Sequence, residues 1–291
     1  MKTIGVIANL EKAGVADLLP RLSQLARTRD LKLVFDPECS GRVPKEETAD
    51  CADFLTDVDV VITLGGDGTL LGAVRRMGAR TKPILGVNMG KLGFLTGITQ
   101  DEIVTALDAM AADELVTSPR RLQSCEYPSA QPAQAPTHAF ALNDIVLSWG
   151  ASSHIAHLEV TVDGQPVTTY TCDGLIIATP TGSTGHSLSA GGPVLHPESE
   201  ALVISPICPH AMAIRPVVLH GNARVTVRLC DHSKTLVLAC DGQAAGEMKP
   251  GDRIVVKPSD VTVNLLHLPG YQYWQVLRQK LHWRGSTLTH A

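Results

Sequence analysis

The chain has 291 residues, 44% of them hydrophobic and 19% charged, with a formal net charge of −4. That length provides for one large or two ordinary globular domains with ample apolar surface for a core. The net negative charge and scattered basic residues, densest at Arg75-Arg76 and Arg120-Arg121, give no electrostatic basis for binding along a nucleic-acid backbone.

The chain opens on a short apolar run that stops at Leu10. This is too short for a membrane helix and is followed by no small-residue cleavage site. The sequence therefore predicts a soluble, cytoplasmic protein with neither a membrane nor a nucleic-acid partner. Ile4 to Ile7 reads as a buried strand, and Val15 to Arg27 carries Leu18, Leu19, Leu22 and Leu25 at helical spacing. Pro20 predicts that this helix begins near it or bends there. Leu31 to Phe35, Val58 to Leu64 and Pro83 to Val87 are further strands, and Asp101 to Ala111 is an amphipathic helix. Such alternation implies a doubly wound parallel sheet in an α/β domain over residues 1–117.

From Ser118 the helical period fades. Short β-branched runs separated by turn residues follow: Ile145 to Leu147, Leu158 to Val162, Leu175 to Ile177, Val225 to Val227 and Leu236 to Leu238. They predict an all-β, sandwich-like domain over 118–268, with Pro128 to Pro136 as a hairpin loop. Residues 269–291 are expected to pack back onto the molecule, partly as a helix. Seven cysteines without a CxxC pair argue for free thiols, not disulfides or structural zinc.

Three segments can carry chemistry. The strand ending at Leu64 runs into Gly65-Gly66-Asp67-Gly68-Thr69 and then a helix-like stretch, Leu70 to Met77. Glycines at a strand's carboxyl end let a phosphate chain approach backbone N–H groups at the following helix. The spacing fits neither the dinucleotide fingerprint nor a P-loop. A carboxylate at Asp67 beside phosphate suits a metal ion or proton acceptance from an attacking hydroxyl; the plainer reading is an Asx turn. Asn143-Asp144 interrupts an apolar run, and such a pair suits ribose hydroxyls or an adenine edge, or else marks a bulge. Asp173 to Pro193 joins a strand to a turn dense in Thr, Ser and Gly, rich in donors for an anion. Two weaker patterns are set aside. His154 and His157 lie three apart in a strand-like region and so face opposite sides. Cys208-Pro209-His210 cannot easily face thiol to imidazole.

These segments, in this order, resemble the NAD kinase family. Gly65–Leu71 is similar to its GGDGT element, Asn88 to Thr96 to its NxGxLGFLT segment, and Asp173–Pro193 to its longest signature. Pro206 to His210 with Arg215-Pro216, Asp241-Gly242-Gln243, and Leu277-Arg278 with Lys280-Leu281 and Trp283 extend the likeness over nearly the whole chain. The resemblance implies phosphorylation of the adenosine-ribose 2′-hydroxyl of NAD with ATP, or another phosphoryl donor, and Mg²⁺, giving NADP. It assigns Asp67 to activating or orienting the hydroxyl, and Gly65, Gly66, Gly68 and Thr69 to the phosphate donor. NAD would be held by Asp67, Gly68, Phe94, Asn143, Asp144, Asp173, Thr184, Gly185, His186, Ser187, Leu188 and Ser189, with His154 and Gln243 beside them. The first domain would take the phosphate donor and the second the dinucleotide. No metal ligand from the protein is implied, and a homodimer or homotetramer is.

The chain departs from the family pattern at two places. Asp144 stands where Glu is usual, one methylene shorter, and Gly185-His186 stands where Ala-Tyr is usual. The imidazole offers less aromatic area than the phenol ring and can become charged, which predicts weaker NAD binding that declines as pH falls. A lipid kinase shares the glycine turn but does not need Asp173–Pro193. A catalytically weak dinucleotide sensor would not need a carboxylate at Asp67.

Overall fold

The computed structural model describes residues 1–50, 52–90, 93–129, 135–149, 155–231 and 235–283. The chain forms two compact units. One comprises Met1–Pro119 together with the chain from Val263 onward, and the other is Arg120–Thr262.

In the first unit, four strands pair in parallel in the order β2-β1-β3-β4: β1 (Lys2–Ala8), β2 (Leu31–Phe35), β3 (Val60–Gly65) and β4 (Ile84–Asn88). β3 and β4 are buried along their whole length, as strands covered on both faces must be. On one face Ile4, Val6, Ile62, Leu64, Leu85 and Val87 share a core with α1 (Val15–Arg27) and α3 (Ile103–Ala111). On the other face lies α2 (Asp67–Met77), whose Leu70 packs against Gly86. α1 starts at Val15 and continues through Pro20, with Leu18, Leu19 and Leu22 fully buried on both sides of the proline. Packing thus outweighs the one intrahelical hydrogen bond that proline removes. α2 begins at Asp67, three residues before the apolar pattern, because Gly66 caps it in an extended conformation. β5 (Ile98–Thr99) adds to β4, and a single 3₁₀ turn over Gln100–Glu102 leads into α3.

The second unit contains β6 (Val116–Tyr127), β7 (Thr137–Ala141), β8 (Asp144–Ser148), β9 (Ala156–Val162), β10 (Gln165–Cys172), β11 (Gly174–Ala178), the short helix α4 (His186–Ser189), β12 (Ala201–Ile207), β13 (Val217–His220), β14 (Val225–Leu229), β15 (Leu236–Cys240), β16 (Gln243–Met248) and most of β17 (Arg253–His267). One sheet runs β13-β12-β11-β8-β15-β16, and the facing layer contains β10, β9, β14, β17, β6 and β7. Alternation is clean in β14, where Val225, Val227 and Leu229 are buried and Arg228 is exposed. Those side chains meet Leu147, Leu175, Ile177 and Leu238 of the other sheet in one core, which makes the unit a β-sandwich. Tyr127 pairs with Thr137, so the Pro-rich stretch does connect a hairpin.

β17 has no counterpart among the expected strands, because Pro258, Ser259 and Asp260 interrupt its apolar pattern. Its start pairs with β14, and Leu265 and Leu266 pair in parallel with Ile84 and Leu85 of β4. Val263 onward therefore belongs with the first unit, where the sequence had placed residues up to 268 in the second domain. α5 (Tyr273–Lys280) follows in the first unit, anchored by buried Val276 and Leu277. No helix among the described residues is long and apolar enough to cross a membrane.

Candidate active site

From β1 the chain moves outward to β2 and then returns past β1 to form β3. The sheet therefore has its switch point between β1 and β3, where open α/β sheets leave a crevice outside the carboxyl ends of their strands. β3 ends in that position at Gly65 and hands over to the N-terminus of α2. The Thr69 hydroxyl accepts from the Gly66 N–H at 3.4 Å and fixes the turn, while Gly68 is exposed. An 11-residue helix opening at a switch point offers free N–H groups and a positive dipole end to an anion.

Asp67 is the first residue of α2 and half-buried. Its carboxylate folds onto the segment Gly93–Thr96. Oδ2 accepts from the Phe94 N–H at 2.8 Å, and Oδ1 accepts from the N–H groups of Leu95 and Thr96 and from the Thr96 hydroxyl, each at 3.1 Å. Asn88, at the end of β4, donates to the same Thr96 hydroxyl at 2.8 Å. A Cβ on Gly93 would overlap the Asp67 carboxylate, so only glycine admits this approach. Among the described residues Oδ1 thus accepts three hydrogen bonds and Oδ2 one. Sequence reasoning had picked Asp67 and Phe94 but not Asn88 and Thr96 as the parts that hold them. The available signal was a pair of small polar residues just past a buried strand.

In the second unit, Asn143 precedes β8 and Asp144 opens it, and the carboxylate of Asp241 pins both. Asp241 accepts from the N–H groups of Leu142, Asn143 and Asp144 at 2.8, 2.7 and 3.1 Å, and its own N–H donates to the Asp144 carbonyl at 3.0 Å. Asp241 sits with φ of 49° in the two-residue Asp241-Gly242 hairpin between β15 and β16, a position where Asp is tolerated. Asp144 is buried at 5% exposure, and its carboxyl is pushed up to about 7, first by burial and then by the Asp241 charge. Gln243, at the start of β16, is exposed beside this hairpin. The Asp-Gly dipeptide between two strands was the signal that could have identified Asp241.

Thr179 ties the next segment to the same turn. Its hydroxyl donates to the Leu142 carbonyl at 2.5 Å, and its N–H donates to the Asn143 carbonyl at 2.9 Å. Gly185 is brought close enough that a Cβ there would lie 3.7 Å from Asn143 Nδ2 and 3.8 Å from Asp144 Oδ2. Asn143, Asp144, Gly185 and Asp241 therefore form one constellation, and the two departures from the family pattern are neighbours. His186 and Ser189 are exposed on α4, with Thr184 and Leu188 half-buried. Ser187 turns inward, sharing a 2.8 Å hydrogen bond with the buried Ser205 hydroxyl. Asp173 precedes β11 at the end opposite to this constellation: Gly174 pairs with Ser148, whereas Ala178 pairs with Asp144. Strand length separates the two ends by roughly 15 Å, so Asp173 is not brought to Asn143-Asp144 within its own sheet. His154 lies outside the described residues. His157, on β9, pairs with Asp231 at 3.0 Å.

A glycine turn at a switch point, with its carboxylate aimed by a polar turn, defines a phosphotransferase when joined to a sandwich that holds a pinned Asn-Asp pair. Family models agree over both units: the ATP-NAD kinase N-terminal domain matches residues 4–115, and the ATP-NAD kinase C-terminal domain matches 142–268. The chain belongs to the NAD kinase family. It is 38% identical over 284 residues to an NAD kinase of Geotalea daltonii, covering 97% of this chain and 99% of that one. It is 43% identical over 283 residues to an NAD kinase of Geobacter sulfurreducens, at the same coverages. The crystal structure of yeast NADH kinase complexed with NADH is similar at TM-score 0.88 and 25% identity, covering 100% of this chain and 90% of that one. An NAD kinase from Archaeoglobus fulgidus in complex with ATP gives TM-score 0.74 and 25% identity, covering 97% of this chain and all of that one.

Proposed function

We infer that this chain transfers the γ-phosphoryl group of ATP to the 2′-hydroxyl of the adenosine ribose of NAD, yielding NADP. The observation that carries this reading is the pair of pinned polar turns, Asp67 and Asn143-Asp144, in a chain matched by both halves of the family. The phosphate chain of ATP meets the Gly65-Gly66-Asp67-Gly68-Thr69 turn and the N-terminus of α2. Asn143 and Asp144 hold the ribose hydroxyls, an arrangement supported by an amide and a carboxyl fixed side by side. Gly185 borders that pair, and His186, Ser189, Gln243 and Asp173 contribute further to the NAD surface.

Asp67 orients the acceptor hydroxyl and takes its proton through Oδ2, the oxygen with a single amide partner. Phosphoryl transfer asks mainly for such positioning and for neutralised phosphate charge. Among the described residues no three acidic, imidazole or thiol groups gather to hold a metal ion. Mg²⁺ would enter on the ATP phosphates, supplying charge neutralisation, with Asp67 the carboxylate best placed to meet it. A cytoplasmic homo-oligomer is the form we propose, on the strength of the family likeness.

The test is incubation of the protein with NAD, ATP and Mg²⁺, followed by an NADP-specific dehydrogenase assay. NADP is expected only when all three are present. No NADP from the unaltered protein would overturn the reading.

A further inference from the structure

The segment Phe94–Thr96, which supplies the hydrogen bonds to the Asp67 carboxylate among the described residues, is held from its other side by the C-terminal stretch of the chain. His267, at the end of β17, is 1% exposed, and its ring stacks on Tyr271 with centroids 3.7 Å apart and planes inclined by 10°. The edge of the same imidazole lies directly against Gly97, where any Cβ would overlap the ring. Gly97 follows Thr96, whose N–H and hydroxyl both bind Asp67. A second contact comes from α5. Val276 is buried, and Lys280, one turn later on the same face, places its Nζ 5.4 Å from the centroid of the Phe94 ring. The Phe94 N–H donates to Asp67 Oδ2.

We infer that the C-terminal segment is a clamp on the Asp67-binding turn, and that Tyr271 and Lys280 are positioning residues for phosphoryl transfer. Three consecutive residues, Phe94 to Thr96, carry the donors, and a turn held only by a carboxylate could exchange those bonds for water. The stacked His267–Tyr271 pair blocks displacement at the Gly97 end, and the Lys280 ammonium over Phe94 fixes the other end. Both contacts lie within the first unit, so they preset the orientation of Asp67 before any substrate arrives. Transfer of a phosphoryl group depends steeply on such alignment. The inference rests on the functional reading above for its consequence on catalysis, but its structural content stands apart from it.

The experiment therefore has two readouts on the full-length protein. Amide hydrogen exchange over Phe94–Thr96 is compared among the unaltered chain, Lys280→Met, Lys280→Arg, Tyr271→Ala and Tyr271→Phe, and kcat and KM for NAD and ATP are measured on the same samples. Lys280→Met and Tyr271→Ala are expected to speed exchange in this segment. They should also lower kcat by roughly 10- to 100-fold while leaving both KM values within about twofold. Lys280→Arg keeps the cation over the ring and Tyr271→Phe keeps the stack, so both should restore slow exchange and kcat. Unchanged exchange in Lys280→Met and Tyr271→Ala overturns the clamp, as does a loss confined to KM. Should the unaltered protein make no NADP, the functional reading fails, and the exchange comparison alone decides the clamp.

Discussion

The two polar constellations are built by the same device and end in opposite states. In each, one carboxylate gathers three consecutive backbone N–H groups: Asp67 those of Phe94, Leu95 and Thr96, and Asp241 those of Leu142, Asn143 and Asp144. In the first unit the gathering carboxylate is itself the residue proposed for chemistry, and the turn engages both of its oxygens. In the second unit Asp241 is the holder and Asp144 is the residue presented. The donors serve the holder, and Asp144 is left buried beside a like charge with its carboxyl pushed up to about 7. The contrast shows that a carboxylate's neighbours, more than its motif, decide whether its oxygens are taken up by backbone N–H groups or left buried beside a like charge.

The largest expected effect comes from removing the Asp67 charge. Asp67→Asn should lower NADP formation by about 10²–10⁴-fold. It should also destabilise the first unit, because an amide nitrogen would face N–H donors where an oxygen accepted them. Undiminished NADP formation by this variant would break the assignment of Asp67.

Asp241→Asn tests the holder of the second turn. At least one of three N–H groups loses its acceptor, at a cost of roughly 1–3 kcal/mol, visible as a lower melting temperature. The KM for NAD should rise because the turn that presents Asn143 and Asp144 loosens. Loss of the Asp241 charge should also bring the Asp144 carboxyl down from about 7, which carbon NMR of that carboxyl can follow. A KM for NAD that stays put would separate this turn from substrate binding.

Asp144 itself predicts a pH signature. Its carboxyl titrates at about 7 in the folded chain and near 4 when unfolded, roughly the value of a free aspartate. The folded state therefore holds a proton that the unfolded state has lost between those values, and stability falls as pH rises through that window. Asp144→Asn should flatten the dependence of melting temperature on pH between roughly 4 and 7. Ribose hydroxyls donate best to the ionised form, so the KM for NAD of the unaltered protein should drop more steeply as pH passes about 7 than that of the variant. Parallel pH curves for the two proteins would show that Asp144 does not titrate in this range.

The smallest effect belongs to the exposed face of the second constellation. His186→Tyr should lower the KM for NAD by roughly 2- to 10-fold, the range of one added aromatic contact. An unchanged KM would mean that the His186 ring does not meet the dinucleotide.

The sequence by itself determined a good deal. Apolar runs such as Val60–Leu64 and Ile84–Val87 announce strands buried on both faces, and the three glycines around Asp67 mark a strand end that admits phosphate. These signals are local, because a strand's period and a turn's backbone freedom depend only on adjacent residues. The fifteen-residue β17 escaped because Pro258 and its polar neighbours break the pattern locally while pairing on both sides sustains it. What only the tertiary structure decided was the company each polar residue keeps. Asp241 lies 97 residues beyond Asp144 in sequence yet binds its N–H, and Thr96 reaches Asp67 across 29 residues. Ser187, placed by pattern in a ligand-binding turn, instead bonds Ser205, and Asp173 lands at the far end of β11 from Asp144. Hydrogen bonds and charge interactions depend on distance in space and on burial, neither of which spacing along the chain contains. The motif named the carboxylates, and the fold set Asp67 against three backbone N–H groups and buried Asp144 beside Asp241.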